Sequence, residues 1–236
     1  MLDVHKHIKR FEIIHKRSSN TQTQSSYIIS SNTMSEISVP ELKISSKKNI
    51  KILVVYHSDN GSTRLVAENV AKGVSNVEGV QVDLLDTEQA TARFDEIEQY
   101  DGYLWGSPSY FGGISANLKA YLEKTTVLFF RRNLQDKIAG GFTNSASASG
   151  DKQSALLQLT VFAAQQGMIW VPLGISPTNN KVVRNEESYN RAGFFNGLAT
   201  QSYIDGEKGS NPPQADLRTA LHFGERFAKV ALQYYK

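Results

Sequence analysis

The sequence predicts an α/β domain in which a parallel β-sheet carries helices on both faces. Short apolar runs alternate with longer segments of helical periodicity along residues 50–236, and this alternation is typical of a parallel sheet with right-handed crossovers. The first run, Ile50 to Tyr56, is apolar on both faces, as a central strand must be. The 236 residues, 40% of them hydrophobic and 21% charged, are enough for one sizeable globular domain.

The other elements follow from the same periodicities. Further strands are predicted at Val80–Leu85, Tyr103–Trp105, 137–143 and 168–174, and helices at 65–74, around Leu118–Leu122, at 154–165 and at 214–235. A polar connection is expected from Thr91 to Glu98. The segment from Ile175 to Pro213 has no regular pattern, and a loop of that length is usually functional or disordered.

Residues 1–49 form a separate region, rich in Ser, Thr, Asn and Gln after a basic start, and we expect them to be mostly disordered. Before Ile50 the chain has eight Lys and Arg against four Asp and Glu, and from Ile50 onward it has 18 against 19. The domain at 50–236 is therefore nearly neutral, which disfavours a nucleic-acid partner. No window is apolar enough to span a membrane, and a cytoplasmic location is expected.

The absence of cysteine limits the chemistry. With no Cys, disulfides, thiolate metal sites and cysteine nucleophiles are excluded, and any redox chemistry belongs to a bound cofactor. His57 and His222 have no partner constellation in the sequence and are interpreted as a strand-end residue and a terminal-helix residue, so no catalytic residue and no metal ligand is predicted.

The first strand ends abruptly in a hydroxyl-rich loop before a helix, with Ser62 or Thr63 placed to cap it. The amides and positive dipole end of such a helix bind anions. The loop lacks the lysine of a Walker motif and the repeated glycines of a dinucleotide fingerprint, so one phosphate is favoured over ATP or NAD. A capped helix with nothing bound remains the alternative. The predicted phosphate-binding residues are Ser58, Asn60, Gly61, Ser62 and Thr63.

Two more loops end strands at the same predicted sheet edge, where ligands of such sheets bind. The second offers flat aromatic faces and glycines that allow close approach, and the third offers small residues with many donors, which together suit a planar ring. The predicted residues are Pro108, Ser109, Tyr110, Phe111, Gly112 and Gly113 in the second loop, and Thr143, Asn144, Ser145, Ala146 and Ser147 in the third.

From about Ile50 to the C-terminus the chain resembles the flavodoxin-like flavoproteins, and most closely the WrbA-type NAD(P)H:quinone oxidoreductases. The resemblance rests on LVVYHSDNGST, GSPSYFGGISANLKAYLEKT, KIAGGFTNSASASG, QQGMIWVPLG and GEKGSNPPQADLRTALHFGERFA. It implies a three-layer sandwich with a five-stranded parallel sheet in the order 2-1-3-4-5. It also implies FMN as cofactor, NAD(P)H as co-substrate, a quinone or similar acceptor, and a homo-oligomer, either a dimer or a tetramer.

Individual residues match and depart from this family. Phe129 falls where the family often has a tryptophan beside the flavin. Tyr110 stands where WrbA-like proteins usually have an arginine, and Gln165-Gln166 where they usually have two histidines. An insertion that the family carries before the third strand is replaced by a short connection near Phe94.

Two further functions are also compatible with the sequence. A flavodoxin-type electron carrier would use the same fold and cofactor, although such carriers usually have an acidic docking face. A flavin-binding interaction protein without turnover would fit the altered residues and the basic N-terminal region.

Overall fold

The computed structural model describes residues 46–47, 49–178, 180, 187–206 and 211–236. The prediction of a disordered 1–49 region therefore lies almost entirely outside the described residues, and the boundary at residue 50 stays a prediction. Ser46 and Lys47 nevertheless contact the C-terminus: Ser46 Oγ donates to Lys236 O at 3.0 Å, and Lys47 N donates to Tyr235 O at 2.6 Å. The Lys47 ammonium also pairs with the buried carboxylate of Asp101.

The sheet has the predicted parallel order. Its strands are β1 (Ile50–Tyr56), β2 (Val80–Asp86), β3 (Gly102–Tyr110), β4 (Gly113–Ile114), β5 (Ile138–Ser145), β6 (Ile169–Trp170) and β7 (Leu198–Gln201). The order β2-β1-β3-β5-β6 corresponds to 2-1-3-4-5 for the five main strands, and all of these pairs are parallel. The short β4 pairs antiparallel with the end of β3. The apolar β1 lies in the interior of the sheet, as predicted.

The fifth position of the sheet is filled by two separate pieces of chain. β6 pairs with the start of β5 at Ile138, and β7 pairs with its end, from Phe142 to Ser145. The predicted strand at 168–174 is therefore too long, because Pro172 has no N–H to donate and Leu173 N bonds instead to Phe195 O of the returning segment. The segment predicted to be irregular contains β7.

Helices cover both faces of the sheet. They are α1 (Ser62–Ser75), α2 (Thr87–Ala92), α3 (Ala116–Lys124), α4 (Thr126–Arg131), α5 (Lys152–Gln165) and α6 (Gln214–Tyr234). One hydrophobic core lies under α1 and α6, and a second lies under α3 and α5. α1 and α6 approach so closely that a Cβ on Gly224 would lie 2.0 Å from Val70 O.

One local prediction is wrong. The expected polar connection from Thr91 to Glu98 contains the end of α2 and most of a 3-10 helix at Phe94–Gln99. α2 starts with a capping box between Asp86 and Gln89. This helix-start signal was overlooked because the segment is polar throughout.

In the part of the chain that the structure describes, no helix is both long and apolar enough to cross a membrane.

Candidate functional site

The carboxyl ends of β1, β3 and β5 open into one cleft of about 1280 Å³. All three predicted loops line it, and so do most of the predicted residues: Ser58, Asn60, Gly61, Ser62, Thr63, Pro108, Ser109, Tyr110, Phe111, Gly112, Asn144, Ser145, Ala146 and Ser147. Segments far apart in sequence therefore converge as the sequence predicts.

Gly113 and Thr143 are the predicted residues that do not line the cleft. Thr143 is fully buried within the sheet, and its hydroxyl donates to Ser107 O at 2.8 Å. Gly113 lies in β4, where an added Cβ would be 2.7 Å from the Gln158 amide nitrogen. Both residues support neighbouring structure, since each is enclosed by protein atoms.

The first loop leaves the start of α1 with free donors. Gly61 is the N-cap in the left-handed region (φ 85°) with no side-chain cap, so the prediction that Ser62 or Thr63 caps the helix is wrong. The first helical bond joins Leu65 N to Gly61 O at 3.0 Å. Among the described residues, the amides of Ser62, Thr63 and Arg64 have no acceptor. No acidic residue lies in this first turn, and the donors are suited to an anion.

The second loop presents an aromatic ring at a strained turn. Phe111 (φ 48°) and Gly112 (φ 79°) form the two-residue connection between the paired residues Tyr110 and Gly113. Two consecutive positive φ values are the signature of a type I′ hairpin turn, which Phe adopts only at some energetic cost. The Phe111 ring is fully exposed at the cleft. Strain and exposure of a large apolar side chain together indicate a ligand-contacting position.

A side-chain network ties the first loop to the second. The Tyr110 hydroxyl donates to Asp59 Oδ2 at 2.8 Å, and Asp59 Oδ1 lies 3.3 Å from His57 Nε2. Asn117 on α3 lies 2.8 Å from the same His57 nitrogen. Burial raises the pKa of Tyr110 to about 12, and the bond to Asp59 adds to the effect. No partner constellation for His57 was apparent in the sequence, but the fold brings Asn117 of α3 to it, and Asp59 lies beside it in its own loop.

The backbone carbonyls of the third loop are hydrogen-bonded within the protein, whereas its backbone amides are free within the described chain. Its carbonyls are occupied: Gln201 Nε2 donates to Ala146 O at 2.9 Å, Ser109 Oγ donates to Gly150 O at 2.7 Å, and the Lys152 ammonium donates to the carbonyls between them. Among the described residues, the amides of 146–151 have no acceptor. The loop therefore offers donors to a ligand that lines it.

A fourth wall of the cleft was not predicted as part of the site. This wall consists of residues from the segment after β7: Ser202, Tyr203, Ile204, Gly206 and Asn211. Other lining residues that were not predicted lie in or near the three loops: Asp59, Arg64, Leu65, Glu68, Gly150 and Asp151. The Asn211 side chain bonds both the N–H and the carbonyl of Tyr203. The aromatic residues of the long segment were the available signal, and of these Tyr203 reaches the cleft.

Beneath this wall lies a buried ion pair. Arg191 Nε donates to Asp216 Oδ1 at 2.7 Å, and the two side chains are only 7% and 3% exposed. Asp216 also accepts from Gln201 N at 2.8 Å, and the Arg191 guanidinium lies 5.9 Å from the Tyr203 ring centre. Burial raises the pKa of Asp216 despite the neighbouring guanidinium. The pair therefore links α6 to the fourth wall.

Phe129, Gln165 and Gln166 do not line this cleft. They line a separate pocket of about 300 Å³ between α4 and the end of α5. The resemblance implied that Phe129, and one of the two glutamines, would lie near the flavin, but within one chain these residues belong to a different surface. Gln166 donates to Thr125 Oγ1 at 3.0 Å, and its buried Oε1 has no partner among the described residues.

The donor set fits a ligand with one phosphate and a planar ring. The α1 amides and hydroxyls suit a phosphate, and the open space at Gly61 and Gly112, where an added Cβ would meet nothing within 4 Å, leaves room for close approach. Tyr110, Phe111 and the third-loop amides suit a flat ring with a polar edge. Across the described ranges, no cluster of His, Cys, Asp or Glu could hold a metal ion.

Comparison with known proteins agrees with this geometry. Residues 50–182 match the profile of a family described as NADPH-dependent FMN reductase. The chain is 34% identical over 189 residues to flavodoxin FldP of Pseudomonas aeruginosa, covering 78% of this chain and 98% of that protein. It is 30% identical over 203 residues to an NAD(P)H dehydrogenase (quinone) of Archaeoglobus fulgidus, covering 77% and 97%.

Solved structures give the same result. A WrbA-like flavodoxin from Agrobacterium tumefaciens matches with a TM-score of 0.60 and 31% identity, covering 79% of this chain and 99% of that one. A flavodoxin from the domain Archaea matches with a TM-score of 0.54 at 19% identity and supports the fold alone. The predicted fold class and family resemblance are confirmed.

Proposed function

The chain belongs to the NADPH-dependent FMN reductase family, among the WrbA-type flavodoxin-like flavoproteins, and we propose that this FMN-dependent oxidoreductase passes a hydride from NAD(P)H to a quinone-like acceptor. One observation carries the proposal: three loops at the carboxyl edge of the sheet line a single cleft with free backbone donors and exposed aromatic rings. Several relatives named NAD(P)H dehydrogenase (quinone) support the choice of acceptor.

Different residues would bind the phosphate and the ring of FMN, at the two ends of the cleft. The start of α1, with Ser58, Ser62 and Thr63, would hold the FMN phosphate through amides, hydroxyls and the helix dipole. Tyr110, Phe111 and the third loop would hold the ring. Because the phosphate donors are already in place without a lysine, binding needs no additional cation from this loop.

Bound FMN supplies hydride acceptance and donation, which no amino-acid side chain offers. The chain's own residues position the reactants and limit water. Phe111 provides an apolar wall, and Asp59 fixes the orientation of Tyr110 through the 2.8 Å hydrogen bond. The pKa of Tyr110, raised to about 12 by burial and by the bond to Asp59, keeps the hydroxyl protonated. Its one proton is donated to Asp59, so the hydroxyl oxygen is left to accept a hydrogen bond from a ligand.

Reconstitution and turnover test the proposal. Protein mixed with FMN and then desalted should keep a flavin absorbance spectrum, and it should oxidise NADH or NADPH when benzoquinone is present. Ser62→Glu should weaken FMN binding by ~2 kcal/mol, or about 30-fold, because it places a carboxylate beside the phosphate. Ser75→Glu, at the other end of α1, is the matched control and should bind FMN normally. Absence of turnover by FMN-loaded wild type would exclude the oxidoreductase proposal.

A flavodoxin-type carrier is the second candidate, favoured by the similarity to flavodoxin FldP. Three carboxylates, of Asp59, Glu68 and Asp151, line the same cleft as Arg64, which is paired with Glu68 at 2.8 Å. An acidic rim of this kind suits docking to a basic redox partner. Reductive titration in two resolved one-electron steps, without NAD(P)H turnover, would favour the carrier.

We further propose that two copies of the chain associate through α4 and α5. Both helices carry exposed apolar residues: Val127, Phe129 and Phe130 on α4, and Leu157 and Val161 on α5. The 300 Å³ pocket lies beside them. Lys119 and Glu123 line that pocket with opposite charges, which suits a two-fold interface. Sedimentation should show an oligomer that Phe130→Glu dissociates, whereas Ile204→Glu, at the cleft, should leave it intact. A wild-type monomer at micromolar concentration would contradict this.

A further inference from the structure

A buried lysine lies beneath the third loop and has no role in the chemistry described above. Lys152 is the first residue of α5 and is completely buried. Its ammonium donates to the carbonyls of Ser147, Ala148 and Ser149 at 2.7, 3.0 and 3.4 Å. All three ammonium protons are thereby used on backbone oxygens. A cation at the N-terminus of a helix opposes the helix dipole, so this placement is unfavourable for the fold alone.

In the third loop the backbone carbonyls accept hydrogen bonds from side chains, whereas the backbone amides donate none to the described residues. Every carbonyl from Ala146 to Gly150 accepts a hydrogen bond from a side chain. Gln201 donates to the first of them, Ser109 donates to the last, and Lys152 donates to the three between. The amides of the same residues have no acceptor in the described chain. Runs of unpaired amides form concave sites that bind oxygen-rich or anionic groups. The loop lines the cleft through Ala146, Ser147 and Gly150.

Because carbonyl and amide alternate along a backbone, fixing the carbonyls also fixes the amides. We propose that Lys152 is a positioning residue that holds this loop as an amide cradle for the electron-rich edge of the flavin ring. We also propose that its charge favours the reduced, more negative flavin over the oxidised form. The inference rests on the proposed function in that it takes FMN as the occupant.

The charge around Lys152 is not cancelled by a direct contact with a carboxylate in the described chain. Burial lowers the pKa of Lys152 to about 8, while the charge of Asp216 acts to raise this pKa and that of Arg191 to lower it. The ammonium thus keeps most of its charge at neutral pH. A cation held in a poorly solvated position acts over a longer distance than one in water.

The test compares FMN affinity and midpoint potential among variants of the full chain. Lys152→Met keeps the length of the side chain and removes its donors and charge. It should weaken binding of oxidised FMN ~10-fold, since carbonyls lose their donors. It should weaken reduced FMN by ~10-fold more, which lowers the two-electron midpoint potential by ~30 mV. Lys124→Met removes an exposed charge from α3 and should change neither quantity.

A second variant separates positioning from charge. Gln201→Leu removes the donor to Ala146 O without changing the charge, so it should weaken both redox forms alike and leave the potential unchanged. Hydrogen exchange of amides 146–151 in protein without FMN gives a readout independent of the cofactor, and Lys152→Met should accelerate it. Wild-type affinity, potential and exchange in Lys152→Met would overturn the inference, and an unchanged potential would overturn the role of the charge. Failure of the wild type itself to bind FMN would instead refute the proposed function.

Discussion

Replacing Asp216 with asparagine tests how strongly the fold depends on the ion pair beneath the fourth wall. Asp216 is 2% exposed and accepts hydrogen bonds from Arg191 Nε, Arg191 Nη2 and Gln201 N, at 2.7, 3.2 and 2.8 Å. Breaking a buried pair by removing one charge typically destabilises by about 3–5 kcal/mol, because the other charge stays buried. Asn keeps one acceptor oxygen, so we expect the lower end, about 3 kcal/mol.

Urea unfolding of protein without FMN, followed by far-ultraviolet circular dichroism, measures this change. With a slope of about 2 kcal/mol per molar urea, the midpoint should fall by about 1.5 M. Lys229→Gln is the control: it disrupts the surface pair with Glu225, 3.9 Å apart on α6, and should change stability by less than about 0.5 kcal/mol. A loss below about 1 kcal/mol in Asp216→Asn would refute the assignment of a buried, energetically coupled pair.

Three more predictions concern pH, packing and rim charge. The pKa of Lys152, about 8 in the fold, lies below its unfolded value, so the unfolded chain binds more protons between these values and stability rises with pH. From pH 7 to 9.5 the wild type should gain about 2 kcal/mol relative to Lys152→Met in urea unfolding, and parallel curves would contradict this. Gly224→Ala places a Cβ 2.0 Å from Val70 O and should lower the unfolding free energy by about 1–3 kcal/mol; an unchanged thermal midpoint would show that α1 and α6 separate easily. Asp151→Asn removes a rim carboxylate of the cleft and should tighten FMN binding ~5-fold at low salt and less at 0.5 M NaCl. FMN titration at the two salt concentrations measures this, and equal affinity of the variant and the wild type at low salt would contradict it.

The sheet and most of the cleft were predictable because their signals are local. β1 is apolar on both faces, and a polar loop follows it directly, so one stretch of sequence fixes both an interior strand and a loop at its carboxyl end. The rule that ligands bind at this edge of a parallel sheet then brings Asn60, Phe111 and Ser145 together. The structure places all three on the same cleft.

The remaining features depend on contacts between distant residues. β7 forms because the chain returns to pair with the end of β5 at Phe142, and nothing in Leu198–Gln201 alone indicates a strand. The side-chain network around Asp59 and His57 depends on two residues from other elements. Tyr110 donates a hydrogen bond to Asp59, and Asn117 lies within hydrogen-bond distance of His57. Lys152, at a helix start in sequence, gave no signal, since most lysines at such positions extend into water.

The shape of the cleft is maintained by contacts within the protein. Gly61, Phe111, Gly112, Gly150 and Asp151 all have positive φ values, and all five line the cleft. Glycine adopts such conformations freely, but Phe111 and Asp151 keep them only where the surroundings enforce them. The third loop is fixed through its carbonyls by hydrogen bonds from Lys152, Ser109 and Gln201, all of them within the protein. Because these bonds leave the amides free, a ligand can take them up without breaking a protein hydrogen bond, and the ordering of the loops does not have to be supplied by binding.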